Sequence, residues 1–257
     1  MHKTILLFLL VVMVSCIEEH ILPLDELAEK PPYFIECYLI PNDLFKLSAT
    51  KLQAINEDYI LDYSLDFDVK IDTTWLLQGL YRDEYSTYIY NYGHWNRFQV
   101  TNKDFSSLLV ITPENDTVIG TTTIPEFINI NDAKGDDENV TISFELDKKA
   151  YHNYYISNLQ CYKNDSVKTV TKYNDLSHLE PIKNAELKIR IPCEQYDSIV
   201  SVVMRLTEEN YNYQISLNNA KDSNDESLVQ PASLNGNLIN SAGIFTCYTV
   251  DTLVIYQ

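Results

Sequence analysis

The chain has 257 residues, 45% of them hydrophobic and 22% charged, with a formal net charge of −18. A charge of that sign, spread along the chain with no basic cluster to offset it, repels nucleic-acid phosphates and excludes nucleic acid as a partner. With only six glycines, the chain has little material for phosphate-cradling loops or tight nucleophile turns.

The chain opens with a short positive stretch, Met1-His2-Lys3, followed by an apolar run from Thr4 to Val14. That run falls well short of the roughly 20 residues that span a bilayer, so residues 1–15 read as a signal peptide. Met13-Val14-Ser15-Cys16 resembles the lipobox of bacterial lipoproteins, in which the cysteine is diacylated and becomes the new N-terminus. Met13 stands where that pattern usually has leucine. The resemblance implies acyl chains such as palmitate on Cys16, and two chains suffice for a durable anchor at about 0.8 kcal/mol per buried CH₂. The alternatives are an ordinary secretory signal cut elsewhere and a short uncleaved anchor. Glu18 and Glu19 directly follow, an acidic pair that resembles the signal sending Bacteroidetes lipoproteins to the outer face of the outer membrane. Residues 16–32 are acidic, lack periodicity and close on Pro31-Pro32, which reads as a lipidated tether.

The remainder is long enough for two domains of about 100 to 130 residues. Tyr33 to Ile40 and Leu44 to Leu52 read as the first two strands. Asp62 to Asp72 alternates strictly, with Tyr63, Leu65, Phe67, Val69 and Ile71 apolar and every even position polar. The acidic face this creates reads as solvated surface before it reads as a calcium site. In Tyr81 to Trp95 the period of two puts Tyr88, Tyr90 and Tyr92 on one strand face, with Gly93 marking a turn. Short strands at Phe98 to Val100, Leu108 to Ile111 and Val118 to Ile124 carry the chain to Pro125, where a domain boundary is expected. Asn131 to Asn139 reads as a charged turn or loop.

Val140 to Leu146, Tyr151 to Tyr162, Leu187 to Ile191 and Ile199 to Leu206 read as strands of the second half. Thr207 is an N-cap for a helix opening on Glu208-Glu209 and running to about Lys221. Ile244 to Tyr248 and Leu253 to Tyr256 close the chain. The expected fold is therefore all-β in the main: two β-sandwich domains of immunoglobulin or fibronectin type, 33–125 and 126–257, with one short helix in the second. Four cysteines remain beyond Cys16, namely Cys37, Cys161, Cys193 and Cys247. In an oxidising compartment they allow three pairings, and buried free thiols are an equal alternative.

Several stretches together resemble domain of unknown function 4249, a family of Bacteroidetes outer-membrane lipoproteins. They are Tyr33 to Pro41, Gly120 to Pro125, Asn153-Tyr154-Tyr155, Glu209 to Tyr213, Pro231, Asn237 and Gly243-Ile244-Phe245, and they run across nearly all of the mature chain. The chain departs from the family pattern where it has Tyr and Asn in place of hairpin glycines, and at Ser241-Ala242. The resemblance implies a two-domain β architecture on the cell surface. It also implies a non-enzymatic accessory role: capture of an unknown small ligand for a TonB-dependent receptor barrel, by analogy with lipoprotein lids.

The chemistry-bearing residues do not assemble into a catalytic or metal motif. His94, His152 and His178 are far apart, no CxxC or HExxH spacing occurs, and no G-x-S-x-G elbow is present, so no metal, cofactor or reaction is expected. Acid pairs such as Asp83-Glu84 keep a surface polymer hydrolase as a second alternative, behind a structural or adhesive lipoprotein without a transport partner. Tyr88, Tyr90, Tyr92 and Trp95 are the candidate ligand contacts, against the alternative that they cover the second face of the sheet. Asp followed by Ser or Thr and a β-branched or aliphatic residue resembles the O-glycosylation acceptor of exported Bacteroidetes proteins. It marks Thr73, Thr117, Ser166, Ser198 and Thr252, although a turn Asp that starts a strand gives the same pattern.

Overall fold

The computed structural model describes residues 33–52, 65–82, 89–100, 103–136, 138–164, 166–180, 185–191, 196–225 and 234–256. Cys16, Glu18, Glu19, Tyr88 and Cys193 lie outside them.

Alternating burial organises the strands. In β1 (Tyr33–Leu39) the odd positions Tyr33, Ile35, Cys37 and Leu39 are buried and the even positions are half-buried. β2 (Leu44–Lys51) does the same with Phe45, Leu47 and Ala49. The strands β3 (Asp68–Ile71), β4 (Thr74–Trp75), β5 (Leu77–Arg82), β6 (Ile89–Arg97), β7 (Phe105–Ile111) and β8 (Thr117–Thr123) complete the first half. The second half has β9 (Ile130–Gly135), β10 (Asn139–Phe144), β11 (Tyr154–Lys163), β12 (Ser166–Asp175), β13 (Ala185–Arg190), β14 (Ser198–Leu206) and β15 (Ala242–Tyr256). Between β14 and β15 lies α1 (Glu208–Asp225), the one α-helix among the described residues. The architecture is mainly β, as the strand periodicity requires.

One eight-stranded sheet, ordered β12-β11-β14-β15-β1-β2-β6-β5, runs through the described residues, all of which belong to one unit, Pro31–Gln257. Two smaller sheets pack on it, β4-β3-β7-β8 and β13-β10-β9. The first encloses a core of Ile35, Leu47, Ile71, Val110 and their neighbours, the second a core of Ile142, Phe144, Leu159 and Ile199. The seam is β15: residues 242–247 pair in parallel with β1, and residues 248–256 pair antiparallel with β14. Phe245 and Cys247 feed the first core and Ile255 the second. A single strand thus serves both sandwiches, which places the C-terminal residues beside the N-terminal strand.

Some elements differ from the sequence expectation. Asn131 to Gly135 is strand rather than loop: β9 is a polar edge strand paired to β10, from Ile130 opposite Phe144 to Gly135 opposite Val140. Gly93 lies within β6 rather than at a turn, opposite Lys46. Its Cβ position would fall 3.1 Å from the Tyr81 ring and 3.2 Å from the Phe45 carbonyl, so the site favours glycine for close packing. Leu253 to Tyr256 and Ile244 to Tyr248 are one strand.

Cys37 and Cys247 are free and buried, with their thiols pushed up by burial, while Cys161 is in a disulfide.

Candidate functional site

The residues on the second face of the large sheet form the site. Even positions of β1 and β2 point away from the first core, and Glu36 pairs in register with Ser48 across the two strands. Helix α1 lies over this face. Thr207 caps it as expected, its hydroxyl oxygen accepting the Asn210 N–H at 3.3 Å, and Glu208 and Glu209 occupy the favourable first turn. Its buried stripe, Asn210, Tyr213 and Ser216, falls at helical spacing.

Tyr213 Oη donates to Glu36 Oε1 at 2.9 Å, and Tyr38 Oη donates to the same oxygen at 3.1 Å. Gln214 Nε2 reaches Tyr38 Oη at 3.4 Å. Burial raises the Glu36 carboxyl above its ordinary range, against the two phenol hydrogen bonds, which lower it. Burial and the adjacent Glu36 push the Tyr38 hydroxyl up. A cavity of about 340 Å³ opens beside this clamp. Glu36, Lys46 and Tyr90 line it from β1, β2 and β6, Met204 and Tyr248 from β14 and β15, and Leu217 from α1. Lys46 forms an ion pair with Asp43 at 3.4 Å and sits 5.8 Å over the Tyr90 ring. The site therefore combines a half-buried carboxylate, aromatic and aliphatic walls, and amide groups from α1, the composition expected of a small-molecule pocket.

The expected aromatic stripe is divided. Tyr90 lines the cavity, but Tyr92 is fully buried in the first core, where its hydroxyl donates to the Leu65 carbonyl and accepts the Phe67 N–H at 2.9 Å. The cause lies between them. The Asn91 side chain takes the place of a strand neighbour, its amide bracketing Ala49 N and O at 2.8 and 2.7 Å, and the β5–β6 register slips over the same stretch. An irregularity of this kind sends successive alternate residues to opposite faces. Trp95, 72% exposed, stacks on His94 with ring centroids 4.5 Å apart, outside the cavity.

Glu36, Tyr38 and Lys46 are not singled out by sequence motif. Their signal is a charged and an aromatic polar residue two apart within the otherwise apolar YFIECYLI, the mark of a strand with a half-covered second face.

A second polar cluster sits where the two sandwiches join. His152 Nε2 is 2.8 Å from Thr123 Oγ1, and His152 Nδ1 is 3.2 Å from Asp147 Oδ2. The order Thr-His-Asp resembles a nucleophile triad, but His152 and Asp147 are wholly buried. Asp147 also accepts the Glu126 and Lys149 N–H groups at 2.9 and 2.8 Å. Burial alone would raise its carboxyl; the hydrogen bond with His152, followed by the Lys149 and Glu126 N–H groups, outweighs that and holds it near 2. The cluster fixes the chain next to Pro125, through the Glu126 N–H that Asp147 accepts. Nearby, the buried Arg205 guanidinium donates to the carbonyls of Glu126, Phe127 and Glu145, and to Tyr155 Oη.

Of the possible glycan acceptors, Thr73, Thr117, Ser166 and Thr252 are exposed and Ser198 is half-buried. The preceding Asp residues have structural work of their own: Asp72 accepts Ser107 N–H at 3.0 Å, and Asp251 accepts Ile130 N–H at 2.7 Å. Among the described residues no group of His, Cys, Asp and Glu could hold a metal ion.

Fold and site together define a mainly β protein in which two sandwiches share one sheet and a helix roofs an acidic pocket on the sheet's other face. The chain belongs to the family described as Domain of unknown function (DUF4249), whose model matches residues 28–253. No curated protein matches it.

Proposed function

We propose that this chain is a surface-exposed lipoprotein, held to the outer membrane through acyl chains on Cys16 and directed outward by Glu18 and Glu19. Its role is to capture a small ligand as the non-enzymatic accessory subunit of a TonB-dependent transporter. The observation that carries the capture role is the cavity under α1, where Glu36 is clamped by Tyr38 and Tyr213 beside apolar walls. The signal sequence and lipobox support the anchor. The tether to Pro32 supplies reach over a membrane partner.

Binding is favoured over catalysis because aliphatic and aromatic side chains make up most of the cavity lining and its one lysine is paired with Asp43. Two measurements test the proposal. Radiolabelled palmitate is expected in the native chain and absent from Cys16→Ala; label in both overturns the anchor. Pull-down from detergent-solubilised outer membrane is expected to recover a TonB-dependent barrel. Its absence under conditions that preserve other complexes refutes the transport role in favour of a structural or adhesive lipoprotein.

A further inference from the structure

Three charged side chains line the cavity, Glu36, Asp43 and Lys46, which leaves it with one net negative charge. Lys46 is engaged with Asp43 and the Tyr90 ring, so it is not the group a ligand anion would find. Glu36 is different. Both of its hydrogen bonds fall on Oε1 and both come from neutral phenols. A carboxylate has about four acceptor positions, so Oε2 of this cavity-lining residue retains its full capacity. Ile156, Met204 and Leu206 give the lining from β11 and β14 an aliphatic surface, with Tyr90 and Tyr248 as aromatic surfaces. Aliphatic walls match a sugar ring poorly and match a hydrocarbon body well.

We propose that the cavity takes a primary amine borne on an aromatic or aliphatic body, its ammonium received by Glu36 Oε2 and its body held against Met204 and Tyr248. The inference rests on the reading of this cavity as the ligand site. An ammonium supplies the charge-assisted donor that a partly desolvated carboxylate lacks, and such bonds are about twice as strong as neutral ones. The clamp by Tyr38 and Tyr213 fixes the carboxylate's orientation, so little conformational entropy is lost on binding.

The test titrates the full purified chain, in detergent, with three probes of one shape: phenethylamine, 2-phenylethanol and phenylacetate. Calorimetry, with micelle blanks subtracted, is expected to give one phenethylamine per chain, bound about tenfold tighter than the alcohol, equal to roughly 1.4 kcal/mol, and phenylacetate weakest. Glu36→Gln keeps an acceptor for both phenols and is expected to bring the amine to within about twofold of the alcohol. Retention of a cooperative unfolding transition shows that the variant is folded. Equal binding of amine and alcohol by the native chain, or an amine preference that survives Glu36→Gln, overturns the amine class. If Met204→Trp, which fills the cavity, then abolishes alcohol binding, the ligand site itself still stands. Failure of all three probes to bind overturns the site together with its ligand.

Discussion

Replacing Arg205 by lysine keeps a buried positive charge and removes the fork that distributes it. In the native chain the guanidinium serves the Glu126 carbonyl at 3.0 Å, the Phe127 carbonyl at 3.2 Å, the Glu145 carbonyl and Tyr155 Oη. The Glu126 oxygen has a second donor, Thr249 Oγ1 at 2.9 Å, so it stays satisfied. An ammonium on a shorter, single-ended stem serves about one of the other two carbonyls and leaves the second and the tyrosine oxygen unserved. Hydrogen bonds from a charged donor contribute about 1.5–3 kcal/mol each, and the carbonyls here are part-buried, so each of the two bonds lost counts at the lower end of that range. Arg205→Lys should therefore cost about 3 kcal/mol, which for a domain of this size lowers Tm by about 10 °C. Urea denaturation followed by tyrosine emission, with calorimetry alongside, measures it. A variant within about 1 kcal/mol of the native chain refutes the account, because it would mean that the fork geometry carries no weight at the junction.

Gly243 has φ of +108°, and a Cβ there would lie 1.9 Å from the Ile35 carbonyl oxygen. Since that atom is backbone, Gly243→Ala must open the β1–β15 pairing and is expected to cost more than about 4 kcal/mol. Gly79→Ala, whose Cβ would meet only the Tyr81 ring at 3.2 Å, serves as the control and should stay within about 1 kcal/mol; protease resistance ranks the two. Asp147, held near 2 from an ordinary 3.8, contributes stability that is present above pH 4 and lost as pH falls toward 2. The shift corresponds to roughly 2 kcal/mol, so the stability gap between the native chain and Asp147→Asn should narrow over that window; a gap unchanged at pH 2.5 refutes it. Glu36 runs the other way. Its raised value means that ionisation opposes folding, so Glu36→Gln should gain stability relative to the native chain as pH rises from 4 to 7, and parallel pH profiles would refute the assignment.

Legibility in the sequence followed burial. β1, β2 and β14 alternate an inward apolar set with a half-covered one, and their period of two declares them. β9 and β12 are edge strands with little apolar surface to bury, so Asn131 to Gly135 read as part of a loop and β12 is not among the expected strands. The helix declared itself through Thr207 and the spacing of its tyrosines, because a cap and a buried stripe are local. The pocket was not local. Tyr213 and Glu36 are 177 positions apart in the chain, and their meeting depends on the parallel pairing of β15 with β1, a long-range choice that no short window encodes. The tyrosine stripe failed for a related reason. Period-two reasoning assumes an unbroken ladder, and Asn91 breaks this one with its side chain.

The residues that carry the family resemblance converge in space, and where they converge limits what membership in the family can transmit. Asn237 brackets the Phe245 N–H and carbonyl at 2.9 and 2.8 Å and reaches Thr121 O at 3.1 Å. A Cβ on Gly120 would strike Leu238 at 2.7 Å and Phe245 at 2.9 Å. Asn153 holds Asp147 by its N–H and carbonyl at 2.8 and 3.0 Å and accepts Tyr155 Oη at 2.7 Å. These groups build the β15 seam and the junction beside Arg205; they form the frame. From the same pattern the buried Tyr213 donates to Glu36, a cavity-lining residue of the opening strand that also belongs to the pattern. Tyr90, Met204 and Leu217, which form the cavity walls, lie outside it. The resemblance thus specifies the frame and the carboxylate clamp, while the residues that would touch the body of a ligand are free of the constraints that hold the frame. Exchanging Tyr90 and Met204 should accordingly change which ligand body is held while leaving the unfolding transition nearly where it was.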